Sequence, residues 1–263
     1  MSTLTVTLIQ TNLVWENKKA NLEMLQQKIE SITEKTELVV LPEMFSTGFS
    51  MNAEKMAEAM DGETVQWMKK IAFQNKIILT GSLIIRENEN FYNRLIWMLP
   101  NGQMGIYDKR HLFSYANEHE HYQPGNKKLI ASVKGWKIHL QICYDLRFPV
   151  WARQPAGDNE TRYDLLINVA NWPQKRNTAW KTLLRARAIE NQAYVIGVNR
   201  VGDDENKIHY SGDSTLIDPL GAIIYHKEND EDVFTFTLRK DLVEETRAQF
   251  PFLNDADPFI IPG

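Results

Sequence analysis

The sequence has little cysteine, no long apolar run and no excess of basic charge. Cys143 is the one cysteine among 263 residues, which excludes an intramolecular disulfide and favours a reducing, cytoplasmic compartment. No stretch approaches the roughly 18 apolar residues that a membrane-spanning helix needs. Thirty lysines and arginines stand against 34 aspartates and glutamates, a net charge of -4. This balance argues against a protein that binds nucleic acid.

One common cofactor-binding motif and one common nucleophile motif are also absent from the sequence. The chain has neither a glycine-rich nucleotide-binding fingerprint nor a Gly-x-Ser-x-Gly turn, so we expect no cofactor, no bound metal and no serine nucleophile. The segment Met1–Gln10 alternates polar and apolar residues and is typical of a strand rather than a signal peptide. Without repeats, low-complexity tracts or linkers, residues 1–263 are expected to form a single domain.

Strand-like and helix-like segments alternate along the chain and predict an α/β fold. Residue Asp61 is the predicted N-cap of the second helix, and polar residues 154–161 predict a surface loop. The predicted helices are 17–35, 62–75 and 178–191, and the predicted strands are 4–8, 38–41, 77–85, 91–99, 104–107, 136–142, 165–169, 194–198 and 233–238.

Cys143 ends the alternating strand 136–142, and the segment after it can begin a helix. Side chains at such turns project from the end of a sheet, where open α/β folds build their sites. A thiol at this position can act as a nucleophile. It can equally be a small buried hydrophobic residue, and the cysteine alone does not decide between the two.

Two charged residues at other strand ends complete a catalytic set. No histidine occupies an evident strand end, but Glu43 follows a buried strand and Lys109 follows another. Each is also compatible with an ordinary exposed turn. Taken together, a glutamate that moves protons, a lysine near developing negative charge and an attacking Cys143 are sufficient for acyl transfer.

The segments around these residues resemble the nitrilase (carbon–nitrogen hydrolase) superfamily in order and spacing. The resemblance extends over nearly the whole chain. The matching segments are Pro42–Phe45, Asp108–Phe113, Cys143–Pro149, Ala170–Pro173, Arg185–Tyr194 and Gly212–Ser214.

The resemblance implies a role for each catalytic residue. The family hydrolyses non-peptide C–N bonds through a thioester, which would form here on Cys143. Glu43 matches the general base, and Lys109 matches the cation that stabilises the tetrahedral intermediate. The backbone N–H of Tyr144 would complete the oxyanion hole.

The resemblance also implies a second glutamate, a fold and an assembly. Glu118 and Glu120 both lie in the loop after the lysine segment, and Glu118 fits the family spacing better because it stands six residues before Pro124. The implied fold is an α-β-β-α four-layer sandwich. Subunits of this family commonly pair helix to helix, so a homodimer or a higher homo-oligomer is expected.

Within the superfamily, the segments resemble the bacterial ω-amidase branch. Those enzymes hydrolyse the terminal amide of small α-keto acid amides such as 2-oxoglutaramate, with water as the second reactant. Other amidases, carbamoylases and nitrilases share the same triad and remain alternatives. The resemblance further suggests coupling to a glutamine-dependent transaminase, as in methionine salvage.

An anionic substrate of this kind needs a cation for its distal carboxylate. Arg176 and Lys175 follow the Asn-Trp-Pro segment and are candidates, although both can simply be solvated residues at the start of a helix. Asp145 and Arg147 are expected to brace the turn at the cysteine rather than to touch substrate.

Two aromatic residues are candidates for the apolar wall of the substrate pocket. Phe45 follows the glutamate segment, and Trp172 lies in the later Asn-Trp-Pro segment. Both can alternatively be core aromatics. The sequence therefore assigns substrate binding to Phe45, Trp172 and Arg176.

Two functions of other classes compete with this one. A metal-dependent hydrolase would use ligand-type residues clustered after the lysine, although their spacing matches no specific zinc motif. A non-catalytic binding module is disfavoured because all three triad positions are filled. The candidate ligands are His111, Glu118, His119, Glu120 and His121.

Overall fold

The computed structural model describes residues 2–156 and 162–261. Within these ranges the strands are β1 (Thr3–Gln10), β2 (Leu38–Val40), β3 (Ile78–Glu87), β4 (Asn90–Met98), β5 (Met104–Asp108), β6 (Leu129–Val133), β7 (Trp136–Ile142), β8 (Leu165–Val169), β9 (Tyr194–Val198), β10 (Val201–Asp203), β11 (His209–Ile217), β12 (Ile223–Glu228) and β13 (Asp232–Arg239). The α-helices are α1 (Lys18–Glu30), α2 (Ala53–Met56), α3 (Glu63–Asn75), α4 (Glu118–His121), α5 (Pro149–Ala152), α6 (Asn177–Asn191) and α7 (Lys240–Gln249). In these ranges no helix has both the length and the apolar character needed to cross a bilayer.

The strands form two sheets. The first has the order β13-β1-β2-β3-β4-β5, and the second has the order β10-β11-β9-β8-β7-β6, with β12 paired to β11. Parallel strands occupy the centre of each sheet, β1-β2-β3 in the first and β7-β8-β9 in the second. The last strand, β13, returns to pair with β1 along its full length, so both ends of the strand sequence stabilise the first sheet.

The sheets pack face to face between two helical layers. Alternate residues of β1 join one apolar core with alternate residues of β7 and β8, because successive strand side chains point to opposite faces. Helices α1 and α3 cover the outer face of the first sheet, and α6 covers the outer face of the second. The resulting order is α-β-β-α, which confirms the predicted four-layer sandwich.

The predicted cap of the second helix is wrong. Helix α3 has Gly62 as its N-cap, with no side-chain cap from that position. The Glu58 carboxylate, further back along the chain, instead accepts the N–H of Thr64 at 2.9 Å. Asp61 is thus displaced by a carboxylate that tertiary packing brings to the same free N–H groups.

In the carboxyl-terminal half, one helix was not predicted and one predicted loop is only partly described. Helix α7 was not predicted; half of its ten residues are charged, and its buried residues are Val243 and Thr246. Residues 157–161 of the predicted surface loop lie outside the described residues, so that prediction is untested there.

The fold brings several strand ends to one edge of the sandwich. Glu43 follows β2 and Lys109 follows β5 in the first sheet, whereas Cys143 and Asn171 follow β7 and β8 in the second. Since β7 and β8 are parallel and adjacent, their carboxyl ends lie together. The candidate residues therefore meet at the boundary between the two sheets.

Candidate active site

A tight turn after β2 fixes the backbone at Glu43. Met44 has a left-handed φ of 43°, a conformation that non-glycine residues adopt at some energetic cost. The Ser82 hydroxyl accepts the N–H of Met44 at 2.9 Å, and the Ser82 carbonyl accepts the N–H of Phe45 at 3.1 Å. The turn is thus bonded to β3, and the Glu43 side chain is completely buried.

Lys109 joins two buried carboxylates. Its Nζ lies 2.9 Å from Glu43 Oε1 and 2.9 Å from both carboxylate oxygens of Glu118. All three charged groups are inaccessible to solvent. An unpaired charge at this depth would be strongly destabilising, so the three groups stabilise one another as a unit.

Two asparagines complete the hydrogen bonding of the carboxylates. Asn93 Nδ2 donates to Glu43 Oε1 at 2.8 Å and to Glu118 Oε1 at 3.3 Å. The Asn171 N–H donates to Glu43 Oε2 at 2.8 Å, while its side-chain amide donates to the Glu43 carbonyl at 2.6 Å. These bonds to both carboxylates come from donors, as do those from Lys109. Neither Asn93 nor Asn171 was predicted to take part in the site.

The structure separates the two candidate loop glutamates. Glu118 begins the short helix α4 after Asn117, whose φ is 58°. Its Oε2 accepts the N–H of Phe113 at 2.5 Å, which holds the carboxylate toward the lysine. Glu120 is exposed and does not take part in this cluster. The glutamate with the family spacing, Glu118, is therefore the one that reaches Lys109.

Asp145 organises the turn that carries the cysteine. Cys143 has a φ of 43° and begins a 3₁₀ helix. Asp145 Oδ2 accepts the N–H of Ile142 at 3.0 Å and the hydroxyl of Tyr107 at 2.6 Å. Its Oδ1 accepts the backbone N–H of His111 at 3.0 Å. Asp145 therefore braces the turn, as the sequence predicts.

The charges of the cluster set the protonation states of the thiol and the lysine. Burial raises the pKa of the Cys143 thiol well above its usual value, and the Glu43 carboxylate raises it further, although Lys109 acts in the opposite direction. Burial lowers the pKa of Lys109, but the carboxylates of Glu118 and Glu43 outweigh it and the net shift is upward. At neutral pH the site thus holds a protonated thiol beside a permanent ammonium group.

Burial raises the pKa of Glu118, and the nearby Glu43 charge adds to this effect, while Lys109 lowers it. The hydrogen bonds to Glu118 still come from donors. A protonated oxygen at this position would face a donor, so the geometry indicates that Glu118 is a carboxylate.

A small cavity of about 70 Å³ opens above the cysteine. Two guanidinium groups flank it: Arg147 lies 4.8 Å from the ring centroid of Trp172, and Arg176 lies 5.1 Å from that of Phe113. Among the described residues, neither arginine has a carboxylate within 4.0 Å. The cavity is lined by Phe49, Phe113, Ala116, Cys143, Tyr144, Arg147, Asn171, Trp172, Pro173, Arg176, Ile208 and Tyr210.

Trp172 and Arg176 line this cavity as predicted, but Phe45 does not. The Phe45 ring is fully buried between the first sheet and its helices, where it packs over Gly81 and lies 6.0 Å from the Trp67 ring. The aromatic residue that reaches the cavity from the same segment is Phe49. The prediction for Phe45 is wrong because the turn after Glu43 directs its side chain into the helix-facing core.

The other two polar candidates also differ from expectation. Lys175 is exposed and is not part of the cavity lining. Arg147, predicted only to brace the turn, contributes to the cavity wall. Its position follows from the 3₁₀ helix Cys143–Arg147, of which it is the last residue.

The residues considered as metal ligands do not converge. Glu118 bonds to Lys109, and His111 Nδ1 lies 2.8 Å from Asp145 Oδ1, whereas His119, Glu120 and His121 are exposed.

In the part of the chain that the structure describes, one other group has ligand atoms close enough to share a metal ion, namely Asp213, His226 and Glu228. Asp213 is already paired there with Lys181 at 3.3 Å. None of these three residues lines the cavity at Cys143.

Known proteins are similar to this chain in both sequence and fold. Residues 5–248 match the carbon–nitrogen hydrolase family. Omega-amidase YafV of Yersinia enterocolitica is 43% identical over 262 residues, which cover 99% of this chain and 100% of that protein. The 2-oxoglutaramate amidase of Bacillus subtilis is 31% identical over 255 residues, covering 95% of this chain and 96% of that protein.

A solved structure agrees with the sequence comparisons. XC1258 of Xanthomonas campestris, a CN-hydrolase superfamily protein with an arsenic adduct in its active site, has a TM-score of 0.97 and 43% identity. The match covers 100% of both chains. The chain therefore belongs to the carbon–nitrogen hydrolase family, in the ω-amidase branch that its sequence segments resemble.

Proposed function

We propose that this enzyme hydrolyses the terminal amide of small α-keto acid amides, converting 2-oxoglutaramate and water to 2-oxoglutarate and ammonia. The observation that carries the proposal is the buried Glu43–Lys109–Glu118 cluster beside Cys143, beneath a cavity with two guanidinium groups. The names of the omega-amidase and 2-oxoglutaramate amidase relatives support the same assignment.

In the first half of the reaction, Cys143 attacks the amide carbonyl. Because its thiol is protonated at neutral pH, Glu43 accepts the proton as the sulfur–carbon bond forms. The carbonyl oxygen becomes negatively charged and is stabilised by the Lys109 ammonium. The N–H of Tyr144 adds a second donor, since the first N–H groups of a helix lack partners within it.

The tetrahedral intermediate then collapses to a thioester. The carbon–nitrogen bond breaks as Glu43 returns its proton to the nitrogen, and ammonia leaves. In the second half, Glu43 removes a proton from water, which attacks the thioester carbonyl. The carbon–sulfur bond then breaks as Glu43 returns this proton to the sulfur, which restores the Cys143 thiol and releases the carboxylic acid product. Glu118 touches no reacting atom in this scheme; it positions Lys109.

The charge of the cavity favours substrates with a distal carboxylate. Arg176 and Arg147 have no carboxylate partner among the described residues, and a bidentate arginine–carboxylate pair is a strong, oriented interaction. A neutral aliphatic nitrile would leave these charges unmatched in a narrow site. This contrast favours an amide that carries a carboxylate, such as 2-oxoglutaramate, over a neutral nitrile.

We further infer that the chain functions as a single domain over residues 1–263, without a cofactor, as a homodimer or higher homo-oligomer in the reducing cytoplasm. The exposed apolar side chains of Val150 on α5 and Ile189 on α6 support helix-to-helix pairing. A transaminase that uses glutamine as its amino donor would supply the substrate.

The direct test is the rate of ammonia release from 2-oxoglutaramate, with succinamate and a simple aliphatic nitrile measured in parallel. We expect the keto amide to be hydrolysed fastest and the nitrile to give no ammonia. Hydrolysis of the nitrile in preference to both amides would contradict the proposed substrate class, while leaving the cysteine mechanism in place.

Replacement of Glu118 by glutamine is expected to lower kcat by about a hundredfold, because one of the two carboxylates that position Lys109 is lost. The matched control is Glu120→Gln in the same loop, whose exposed side chain should be replaceable with little effect. Steady-state kinetics of both variants measure the difference. Equal rates for the two variants would remove Glu118 from the positioning role.

The Arg176→Met change is expected to raise KM for 2-oxoglutaramate by about tenfold or more, the loss expected for one charge-assisted hydrogen bond. Its kcat should change much less, since Arg176 is proposed to bind the distal carboxylate and not the reacting carbonyl. Lys175→Met is the control, because Lys175 is exposed and lies outside the cavity lining. An increase in KM of the same size for an uncharged amide would show that the effect is not recognition of the carboxylate.

A further inference from the structure

A second and larger cavity lies between β6, β7, α5 and the carboxyl-terminal segment 258–261. Its volume is about 580 Å³, within the range of sites that bind small organic molecules. Its described lining has no residue in common with the cavity at Cys143. The proposed amidase mechanism therefore does not account for it.

Three cationic side chains line this second cavity: Arg110, Lys128 and Arg153. The Arg110 guanidinium and the Lys128 ammonium lie 5.6 Å and 5.2 Å from the ring centroid of Trp151. Within residues 2–156 and 162–261, no carboxylate lies within 4.0 Å of any of the three. Arg110 donates one N–H to the Gly125 carbonyl at 3.1 Å, and Arg153 donates one to the Glu190 carbonyl. Neutral carbonyls do not cancel these charges, and like charges on the wall of a concave, partly apolar site attract anions.

A buried histidine in the same cavity also has unused hydrogen-bonding capacity. His139 is 1% exposed, and neither of its ring nitrogens has a hydrogen-bond partner among the described residues. Burial lowers the pKa of His139 to about 3, with Lys128 adding to the effect, so the ring is neutral and offers one donor and one acceptor. A buried polar group left in this state is costly, and a polar ligand group would satisfy it.

The remaining wall is apolar. Ile130 and Phe259 line the same cavity as the cations and the histidine. They are 40% and 41% exposed, so each presents hydrocarbon surface there. An inorganic anion alone would leave this surface in contact with water. A ligand with both an anionic group and an apolar body matches the whole lining.

We propose that this cavity binds a small organic anion. Its carboxylate or phosphate group lies against Arg110, Lys128 and Arg153, and its apolar body packs against Ile130 and Phe259. The shared requirement is an oxyanion joined to a hydrocarbon or aromatic group of modest size. This site is separate from the site of amide hydrolysis.

Fluorescence titration with anilinonaphthalene sulfonate, an aromatic anion, tests the proposal on the full chain. We expect saturable binding of one dye per chain, with affinity at least about tenfold weaker in Lys128→Met and in Arg153→Met, as expected for one charge-assisted hydrogen bond. The control is Lys55→Met, since Lys55 is exposed on α2 and is not part of the lining. Its affinity should remain within about twofold of wild type.

Competition identifies the anionic group. Phenylbutyrate and phenyl phosphate are expected to displace the dye, and the stronger competitor distinguishes a carboxylate ligand from a phosphate ligand. The neutral phenylbutyramide should not compete. Equal displacement by the neutral amide, or unchanged affinity in both methionine variants, would overturn the proposal. So would dye binding that disappears as the chain concentration rises, because a second copy would then cover the cavity.

Discussion

Ammonia release should fall below about 1% of the wild-type rate when Cys143 is replaced by alanine, because the proposed thioester requires a thiol and Cys143 is the one cysteine in the sequence. Glu43 and Lys109 would remain in place, bonded to each other and to Asn93. These groups can polarise the carbonyl and activate water, but the covalent route would be closed. Initial rates with 2-oxoglutaramate measure the loss.

The same variant should fold normally. Alanine keeps the Cβ atom at the left-handed φ of 43°, and the bonds from Asp145 that hold the turn do not involve the sulfur. Circular dichroism and the Tm of the variant check this point. A properly folded variant with more than about 1% of wild-type activity would exclude Cys143 as the nucleophile.

Glu43→Gln is expected to reduce kcat by about a hundredfold to ten-thousandfold, the usual contribution of a general base. The thiol should at the same time become easier to ionise. The negative charge of Glu43 raises the pKa of Cys143, so its removal shifts that pKa downward. The pH profile of alkylation by iodoacetamide should therefore move to lower pH while hydrolysis becomes slower.

The two readouts check different points: the alkylation profile shows that the Glu43 charge acts on the thiol, and the rate of hydrolysis measures its contribution as a base. Loss of a structural contact would slow hydrolysis without a downward shift of the alkylation profile. A profile that moves to higher pH would mean that Glu43 lowers the pKa of the Cys143 thiol in the wild-type protein. This result would contradict the expected effect of its negative charge. Glu120→Gln, remote from the cluster, serves as the control in both measurements.

The sequence predicted those parts of the fold that depend on the pattern of a single strand. Alternation predicted the strand before Cys143, and apolar runs predicted the strands that place Glu43 and the Asn171 segment. Helix α7 was missed because its sequence carries only a narrow apolar stripe, with Val243 and Thr246 as its buried residues. Its stability comes from packing onto the finished sandwich, which a local pattern does not contain.

At the site, the ends of single strands were predictable and the contacts between strands were not. Asn93 reaches both carboxylates only because β4 pairs with β3 on one side and with β5 on the other. The choice of Phe49 over Phe45 depends on the direction of one turn. Arg147 required the path of a short 3₁₀ helix. Each of these placements depends on tertiary geometry that spacing along the chain does not encode.

The proposed catalytic groups come from both halves of the sandwich, since Glu43 and Lys109 follow strands of the first sheet and Cys143 follows a strand of the second. In the proposed mechanism, activity depends on how the sheets sit on one another, since a shift of about 1 Å between reacting groups can cost a hundredfold in rate. Selection for amide hydrolysis thus also acts on the apolar layer between the sheets. Mild substitutions in that layer, although remote from the substrate, would therefore lower the rate of hydrolysis. Only more severe substitutions would unfold the protein.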